Sequence, residues 1–445
     1  MKWLKRVAIV MGLLLVILAA VPFFLSLNDY IPQIEREVSA KLGVPVVIQN
    51  LSAMALPLPH LAIDGITVGK RGEFTVGKVR VTPDLLSLFS PVKVISSIQI
   101  DSLLMNQKAI DRIPGWIKPQ STQTKQPQVV VRNIILEDAT VRLDKGGFGP
   151  FAVHIQFNDQ GAPGDASVTT KDGKLKALIK PGKSNYLIDV SAKSWRLPTG
   201  PAILFDVLTI KGVATLNDAN LSQVNARLYG GTVIGKASVG WRKGLQLKGN
   251  FNINQVELKS LVPLLAPGKR MSGKFSAKPV FTANAPAANQ IMNALRLETP
   301  FNVQDGVLYG VDIEKAATSM ITREAGGETR FEQLSGHLAR ERGTQRFTNL
   351  KIASGALAAS GKVSISPKKE LSGRINAEVK AANLAFASVP LKVTGTVDSP
   401  MLLPTGGTWA GAAVGTVILG PGLGTSMGAK IGAWAEGLFD EEEKK

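Results

Sequence analysis

The chain contains no cysteine. This removes disulfides, thiolate metal sites and thiol nucleophiles together, and says little about redox compartment. Histidine is almost as scarce. His60, His154 and His337 are isolated, with no HExxH and no carboxylate at ligand spacing, so the sequence offers no donor set for zinc. Aromatic residues make up only 6 %, and no helix rich in arginine or lysine appears. The formal charge of +18 therefore does not by itself make a nucleic-acid site. It suits a surface facing anionic lipid head groups equally well. No nucleotide-binding loop is present, and no cofactor, metal or nucleic-acid partner is expected.

Two patterns resemble catalytic motifs and fail on context. Gly424-Thr-Ser-Met-Gly428 fits G-x-S-x-G, but no histidine follows position 337 to serve as its base. Ser366-Pro-Lys-Lys369 fits Ser-x-x-K, yet its proline and flanking strands place it in a turn. Asp305 and Asp312 read as marking a turn and the start of the following helix, Asp312 near its N-terminus. No enzyme is expected.

What the chain does have, first, is an uncharged and mostly apolar run of 21 residues, Val7 to Leu27. About 20 such residues cross a bilayer as a helix. Lys2, Lys5 and Arg6 precede it while Asn28 and Asp29 follow, which keeps the first residues in the cytoplasm and exports the rest. The rival is a cleaved signal peptide, whose apolar core runs about 7–15 residues. The longer run here favours an uncleaved anchor. Ile31, Ile34, Val38 and Leu42 then fall at helical spacing with Gly43 as a stop, giving a short amphipathic helix close to the membrane surface.

Most of the remainder alternates with period two. Leu245, Leu247, Gly249, Phe251 and Ile253 alternate with Gln246, Lys248, Asn250 and Asn252; Leu371 to Val379 behaves in the same way. Each is a strand with one dry and one wet face. His154 falls on the polar side of the alternation Phe151, Val153, Ile155, Phe157. The dry face must meet a second sheet or a guest that is not protein, such as a lipid chain. Gly230-Gly231 predicts a two-residue hairpin turn with Leu228 facing Val233. A second hairpin near Ser354-Gly355 predicts Ile352 facing Leu357. Gly235-Lys-Ala-Ser-Val239, Gly273-Lys-Phe-Ser-Ala277 and Gly361-Lys-Val-Ser-Ile365 repeat a local pattern. Helices are expected only as interruptions, at a turn over Pro83 to Phe89 and at Gln255 to Leu265, Ala285 to Leu297 and Ile313 to Thr322.

The expected organisation is a cytoplasmic stub and transmembrane anchor (1–27), an N-terminal cap that starts the groove (28–117), a flexible loop (118–128, KPQSTQTKQPQ), a main β-groove (129–400) and a glycine-rich C-terminal segment with a charged tail (401–445). Met401 to Ala429 carries no charge, and Gly420, Gly424, Gly428 and Gly432 recur every fourth residue. With Trp409 and Trp434 they predict a helical hairpin that seals the groove or enters a membrane. The fold class is mainly β: a long antiparallel one-sided sheet curled into an elongated apolar groove, with one N-terminal transmembrane helix and a few short helices. Candidate groove-lining residues are Phe151, Val153, Ile155, Phe157, Leu228, Val233, Leu245, Leu247, Phe251, Ile253, Leu371, Ile375 and Val379.

Several stretches together resemble the AsmA-like proteins of Gram-negative bacteria. They are Tyr30-Ile-Pro-Gln-Ile-Glu35, Lys41-Leu-Gly-Val-Pro-Val46, Phe74-Thr-Val-Gly-Lys-Val-Arg-Val81 with Asp84-Leu-Leu-Ser-Leu88, Leu228-Tyr-Gly-Gly-Thr232, Asp305-Gly-Val-Leu-Tyr-Gly-Val-Asp-Ile313, Leu334-Ser-Gly336 and Val393-Thr-Gly-Thr-Val-Asp-Ser-Pro400. The resemblance runs in order over roughly residues 1 to 400, although this chain is short for the family. It implies an inner-membrane anchor, a periplasmic β-groove of the bridge-like lipid-transfer type, and phospholipids as cargo moved toward the outer membrane. It further implies a role in outer-membrane biogenesis. Apart from the resemblance, residues 401–439 are expected to meet the outer membrane or a partner there. The alternative is a non-enzymatic outer-membrane assembly or scaffold factor with a closed β core.

Overall fold

The computed structural model describes residues 27–54, 58–70, 72–106, 129–143, 146–198, 200–287, 290–318, 326–379 and 387–405. The expected anchor (apart from Leu27), the loop 118–128 and the glycine-rich segment beyond 405 lie outside these residues. Among the described residues no helix is long and apolar enough to cross a membrane. The chain divides into two compact units, 1–202 and 203–445.

The first unit opens with a 3-10 turn (Leu27–Tyr30) and helix α1 (Ile31–Leu42). Its strands are β1 (Val46–Met54), β2 (His60–Val68), β3 (Phe74–Pro83), β4 (Lys93–Asn106), β5 (Val129–Val131), β6 (Asn133–Leu143), β7 (Gly146–Phe157), β8 (Pro163–Thr170), β9 (Leu175–Pro181) and β10 (Tyr186–Arg196). Helix α1 has the expected bounds and ends on Gly43 at φ 68°, a left-handed conformation that glycine adopts without steric cost. Its stripe of Ile31, Ile34, Val38 and Leu42 packs on Val46, Ile48 and Val68. The apolar face thus meets the sheet. The helix also covers the edge of β1: Glu35 Oε1 accepts the Ile48 N–H at 2.7 Å and Ser39 Oγ accepts that of Val46 at 2.9 Å. Such cover keeps an edge from pairing with another chain.

Neighbouring strands pair in sequence order, but not all are antiparallel as expected. β4 runs parallel to both β5 and β6, with Lys93 opposite Val129 and Ile98 opposite Ile134. Parallel neighbours need a crossover of about a dozen residues or more. The connection from 107 to 128 has that length, so what reads in sequence as a domain linker also joins two adjacent strands. The sheet is therefore mixed.

The second unit contains β11 (Leu204–Ala214), β12 (Asp218–Leu228), β13 (Gly231–Gly240), β14 (Leu245–Glu257), helix α2 (Leu258–Leu265), β15 (Met271–Ala277), β16 (Val280–Ala285), a helical turn α3 (Ile291–Ala294), β17 (Arg296–Tyr309), helix α4 (Ile313–Thr318), β18 (Glu328–Glu341), β19 (Thr344–Ala353), β20 (Leu357–Ile365), β21 (Leu371–Val379), β22 (Ala387–Gly395) and β23 (Pro400–Pro404). Its strand pairings from β11 onward are antiparallel. β15 and β16 form one interrupted row between β14 and β17, each pairing with both. The expected helix from Ala285 to Leu297 is reduced to the single turn α3. Ala285 instead ends β16 opposite Leu245, and Leu297 pairs with Phe281; sheet pairing overrides the helix propensity of alanine there.

Both hairpin registers differ from expectation by two residues. The first turn is Tyr229-Gly230, at φ 46° and 74°, so Leu228 faces Gly231 and Ala226 faces Val233. Tyr229 is held in this unusual conformation from both sides. Its hydroxyl accepts the Leu204 N–H at 3.1 Å and its carbonyl accepts the Glu257 N–H at 3.0 Å. Gly231 is needed for another reason: a Cβ there would lie 2.5 Å from the Val256 nitrogen. In the second hairpin Ile352 faces Ala359, because Ser354 Oγ accepts the Leu357 N–H at 3.1 Å and widens the loop. A slip of two leaves every side chain on its expected face. Asp305 also departs from expectation. It sits within β17 at φ 52°, a left-handed residue in mid-strand, whereas Asp312 does begin α4, accepting the Lys315 N–H at 2.8 Å.

Candidate functional site

The dry face of the second unit begins on β12 to β14. In β14, Leu245, Leu247, Phe251 and Ile253 are half-buried, while Gln246, Lys248, Asn250 and Asn252 are exposed. Across the β13 pairing Val233 faces Ile253, and Val239 faces Leu247. A strand pressed between two sheets would lose nearly all exposure on its apolar side. These residues retain it.

Glycine shapes this face. Gly235 lies opposite Phe251, Gly249 opposite Phe281, Gly306 opposite Phe331 and Gly336 opposite Phe301. At Gly235, Gly249 and Gly306 an added Cβ would run into the facing phenylalanine ring, and at Gly336 it would press on Phe301 at 3.1 Å. The ring occupies the space that the missing side chain leaves, an arrangement that permits a tight bend at glycine without opening a void. Phe251 and Phe281 stack with centroids 5.8 Å apart and planes 8° from parallel.

Beyond β14 the sheet closes on itself. Side chains from α2, β15 and β17 through β23 line a cavity of about 400 Å³, within the usual range for small-ligand pockets of roughly 300–1,000 Å³. Its walls include Phe275, Phe301, Leu338, Phe347, Val363 and Leu371. Thr299 is the polar residue of the lining, and its hydroxyl is engaged elsewhere, donating to the Pro300 carbonyl at 2.8 Å and accepting the Lys278 N–H at 3.1 Å. Beside the cavity, α4 buries Ile313, Ala316 and Ala317 in a core with Ala377 and Leu391, both 0 % exposed. This stretch is packed by protein.

The two margins of the closed stretch are clasped. Lys269, just before β15, places Nζ 2.8 Å from Asp398 Oδ1 and donates to the Val397 carbonyl at 2.6 Å, in the turn between β22 and β23. Lys369 lies 3.8 Å from the other Asp398 oxygen. The hydrogen bond from Lys269, then its charge and that of Lys369, hold the Asp398 carboxyl below its ordinary range. A depressed carboxylate stabilises the fold above the unfolded value of about 3.9, and the contribution is lost as pH falls through the depressed value. Asp398→Asn is therefore expected to lower the melting temperature at neutral pH and to match the parent chain in strong acid. The shift should be small because the carboxylate is largely exposed. Melting curves of the two chains across that pH range measure it.

The AsmA family model matches residues 188–350. This stretch is similar to the AsmA family. The AsmA match runs from within β10 to within β19, and so spans the half-buried face of β13 and β14 and the Gly–Phe pairs. Three of the stretches quoted above, Leu228–Thr232, Asp305–Ile313 and Leu334–Gly336, fall inside it; those at 30–46, 74–88 and 393–400 fall outside. No curated protein and no solved structure matches the chain.

The candidate residues separate into three places. Val233, Leu245, Leu247, Phe251 and Ile253 share the half-buried face of β13 and β14 inside the AsmA match, while Leu228 on β12, expected beside them in an open groove, is buried by protein at 6 % exposure. Leu371 and Ile375 line the cavity, and Val379 packs against the adjoining core. Phe151, Val153, Ile155 and Phe157 lie half-buried on β7 of the first unit. Trp409, Gly420, Gly424, Gly428, Gly432 and Trp434 lie outside the described residues. Sequence reading missed Phe301, Phe347 and Leu350. In β19 the left-handed residue Asn349 (φ 52°) brings Phe347 and Leu350 to one face at a spacing of three, which breaks the period. Phe301 was legible in the alternation Thr299, Phe301, Val303.

Proposed function

We propose that this chain is a non-enzymatic, membrane-anchored protein that holds and conducts phospholipid acyl chains along the apolar face of the stretch similar to the AsmA family. Residues 7–27 anchor it in the inner membrane with the N-terminus cytoplasmic, and the bulk of the chain lies in the periplasm, serving lipid movement toward the outer membrane. The observation that carries this reading is β14, where regular alternation leaves a continuous apolar row only half-covered by protein. Acyl chains on that row leave water, at about 0.8 kcal/mol for each buried methylene. Head groups remain in solvent, so sliding does not require their desolvation. The wet face carries Lys236 and Lys248. The AsmA match supports the same class of function.

A photo-crosslinking residue placed at Leu247 of the full chain in cells should capture phospholipid, and one at Lys248 should not. Capture of protein at Leu247, without lipid, would overturn the proposal. It would favour the second reading, an outer-membrane assembly factor with a closed β core. The specific observation behind that reading is the complete burial of Ala377 and Leu391 by protein.

A further inference from the structure

We propose that one end of the first unit's sheet is a bilayer-docking edge, formed around the 3-10 turn Leu85–Phe89, where Leu85, Leu86 and Phe89 enter a lipid surface. The proposal rests on the anchor reading given above.

Strand register defines this end. Met54 faces His60, Leu61 faces Val81, Pro83 faces Ile95 and Lys93 faces Val129. The end of β1, the start of β2, the end of β3 and the starts of β4 and β5 therefore lie together. Phe89 is 92 % exposed and Leu86 83 %, and Leu85, Leu58 and Met54 are exposed beside them. A single exposed leucine needs no explanation, but a cluster at one end of a sheet does.

The turn is braced rather than loose. Asp84 Oδ1 accepts the Leu86 N–H at 3.1 Å, the Ser87 hydroxyl donates to the Asp84 carbonyl at 2.6 Å, and Ser87 Oγ accepts the Val94 N–H at 2.8 Å. These bonds hold Leu86 and Phe89 outward. Opposite, at the β2–β3 turn, the chain presents Gly69, Lys70 and Glu73. The same strands thus have one apolar end and one polar end.

The occupant is identified by where the chain arrives. Asn28 Oδ1 accepts the Leu51 N–H at 2.9 Å, near the Met54 end of β1. The uncharged run 7–27 therefore joins the fold at the apolar end, one residue before Asn28. Tyr30 is exposed close by, and an aromatic ring with a polar tip suits the head-group level. Lys93 and Arg132 flank the turn. Lys93 Nζ donates to the Ser90 carbonyl at 2.7 Å, and Arg132 reaches Asp84 at 3.5 Å. Long cationic side chains beside inserted apolar groups match the phosphate layer of anionic lipid. A bilayer covers all of these groups at once and places the sheet end-on to the membrane from which the anchor emerges.

The test uses the full chain reconstituted in vesicles of phosphatidylethanolamine and phosphatidylglycerol. Because the chain has no cysteine, one introduced thiol takes a polarity-sensitive fluorophore alone. A label at Phe89→Cys should shift to the blue and be quenched by lipids that carry nitroxide on the acyl chain. A label at Lys70→Cys should be unaffected. Leu86→Asp should reduce the quenching of a label at Ser90→Cys, without loss of fold because Leu86 is already in water. Carbonate extraction is run on the same vesicles. If the chain resists extraction while the Phe89→Cys label stays in water, the docking edge is wrong and the anchor stands. If carbonate releases the chain, the anchor reading fails and the docking edge fails with it. A blue-shifted label that nitroxide lipids do not quench means that protein covers the turn, and this also overturns the proposal.

Discussion

Leu247→Asp is expected to abolish phospholipid capture by a crosslinker at Ile253 while the chain still melts near its normal temperature; Leu391→Asp is expected to unfold the second unit. Both positions are leucines on the dry faces of antiparallel strands. Leu247 is half-buried between Val239 of β13 and Ala283 of β16. A carboxylate there can keep its hydration, so the stability cost should stay near the average for substitutions, about 1 kcal/mol. The same charge in the path of an acyl chain must be stripped of water each time a chain passes. Leu391 has no exposure and faces Ile375 and Pro404. Removing its side chain alone costs about 2–5 kcal/mol, and an unpaired buried charge adds more. The sum rivals a whole domain's stability of about 5–15 kcal/mol. Thermal melts and crosslinking on the two variants measure the contrast. Should Leu247→Asp unfold the unit as readily as Leu391→Asp, the β14 face is packed by protein and the groove does not exist.

Gly306→Val should destabilise the second unit by about 3 kcal/mol, the upper part of the range for overpacking. A Cβ at this position would sit 2.5 Å from the Ser272 carbonyl oxygen and 2.7 Å from Cε2 of Phe331. The ring can move; the backbone oxygen belongs to β15 and cannot do so without breaking the β15–β17 pairing. Phe331→Ala in the same chain should therefore restore only part of the loss. Gly268→Ala is the control. It has φ 82° but nothing within 4 Å of an added Cβ, so only the conformational cost remains, about 1–2 kcal/mol. Denaturant titrations of the three chains give the values. Equal losses at Gly306 and Gly268 would mean that the sheet gives way around the added side chain and that the Gly–Phe contact does not require the glycine.

Faces were legible in the sequence, partners much less so. The period-two alternation in β14 and β21 identified which side chains share a surface, and parity protected that reading from errors of two residues in both hairpins. Helix α1 was legible because Ile31, Ile34, Val38 and Leu42 repeat cleanly up to Gly43. The parallel step between β4 and β5 was not, since nothing in an individual strand records the direction of its neighbour. The cavity was hidden for a related reason. Lys269 and Val397, the neighbour of Asp398, are 128 residues apart along the chain, and only the curl of the intervening strands brings them into contact. Left-handed residues such as Asn349 and Asp305 then shift the alternation within strands that line it.

The antiparallel pairing of consecutive strands, seen from β17 through β23, has an evolutionary consequence. Duplicating one hairpin adds an even number of strands, about 10 Å of sheet at the standard spacing, and returns the chain to the edge it left. No later residue changes face, and only the contacts across the closed stretch, such as Lys269 with Asp398, have to be remade. Reach is then a quantity that selection can adjust in whole hairpins, and descendants of one ancestral gene can come to differ in span while keeping the same chemistry along the surface.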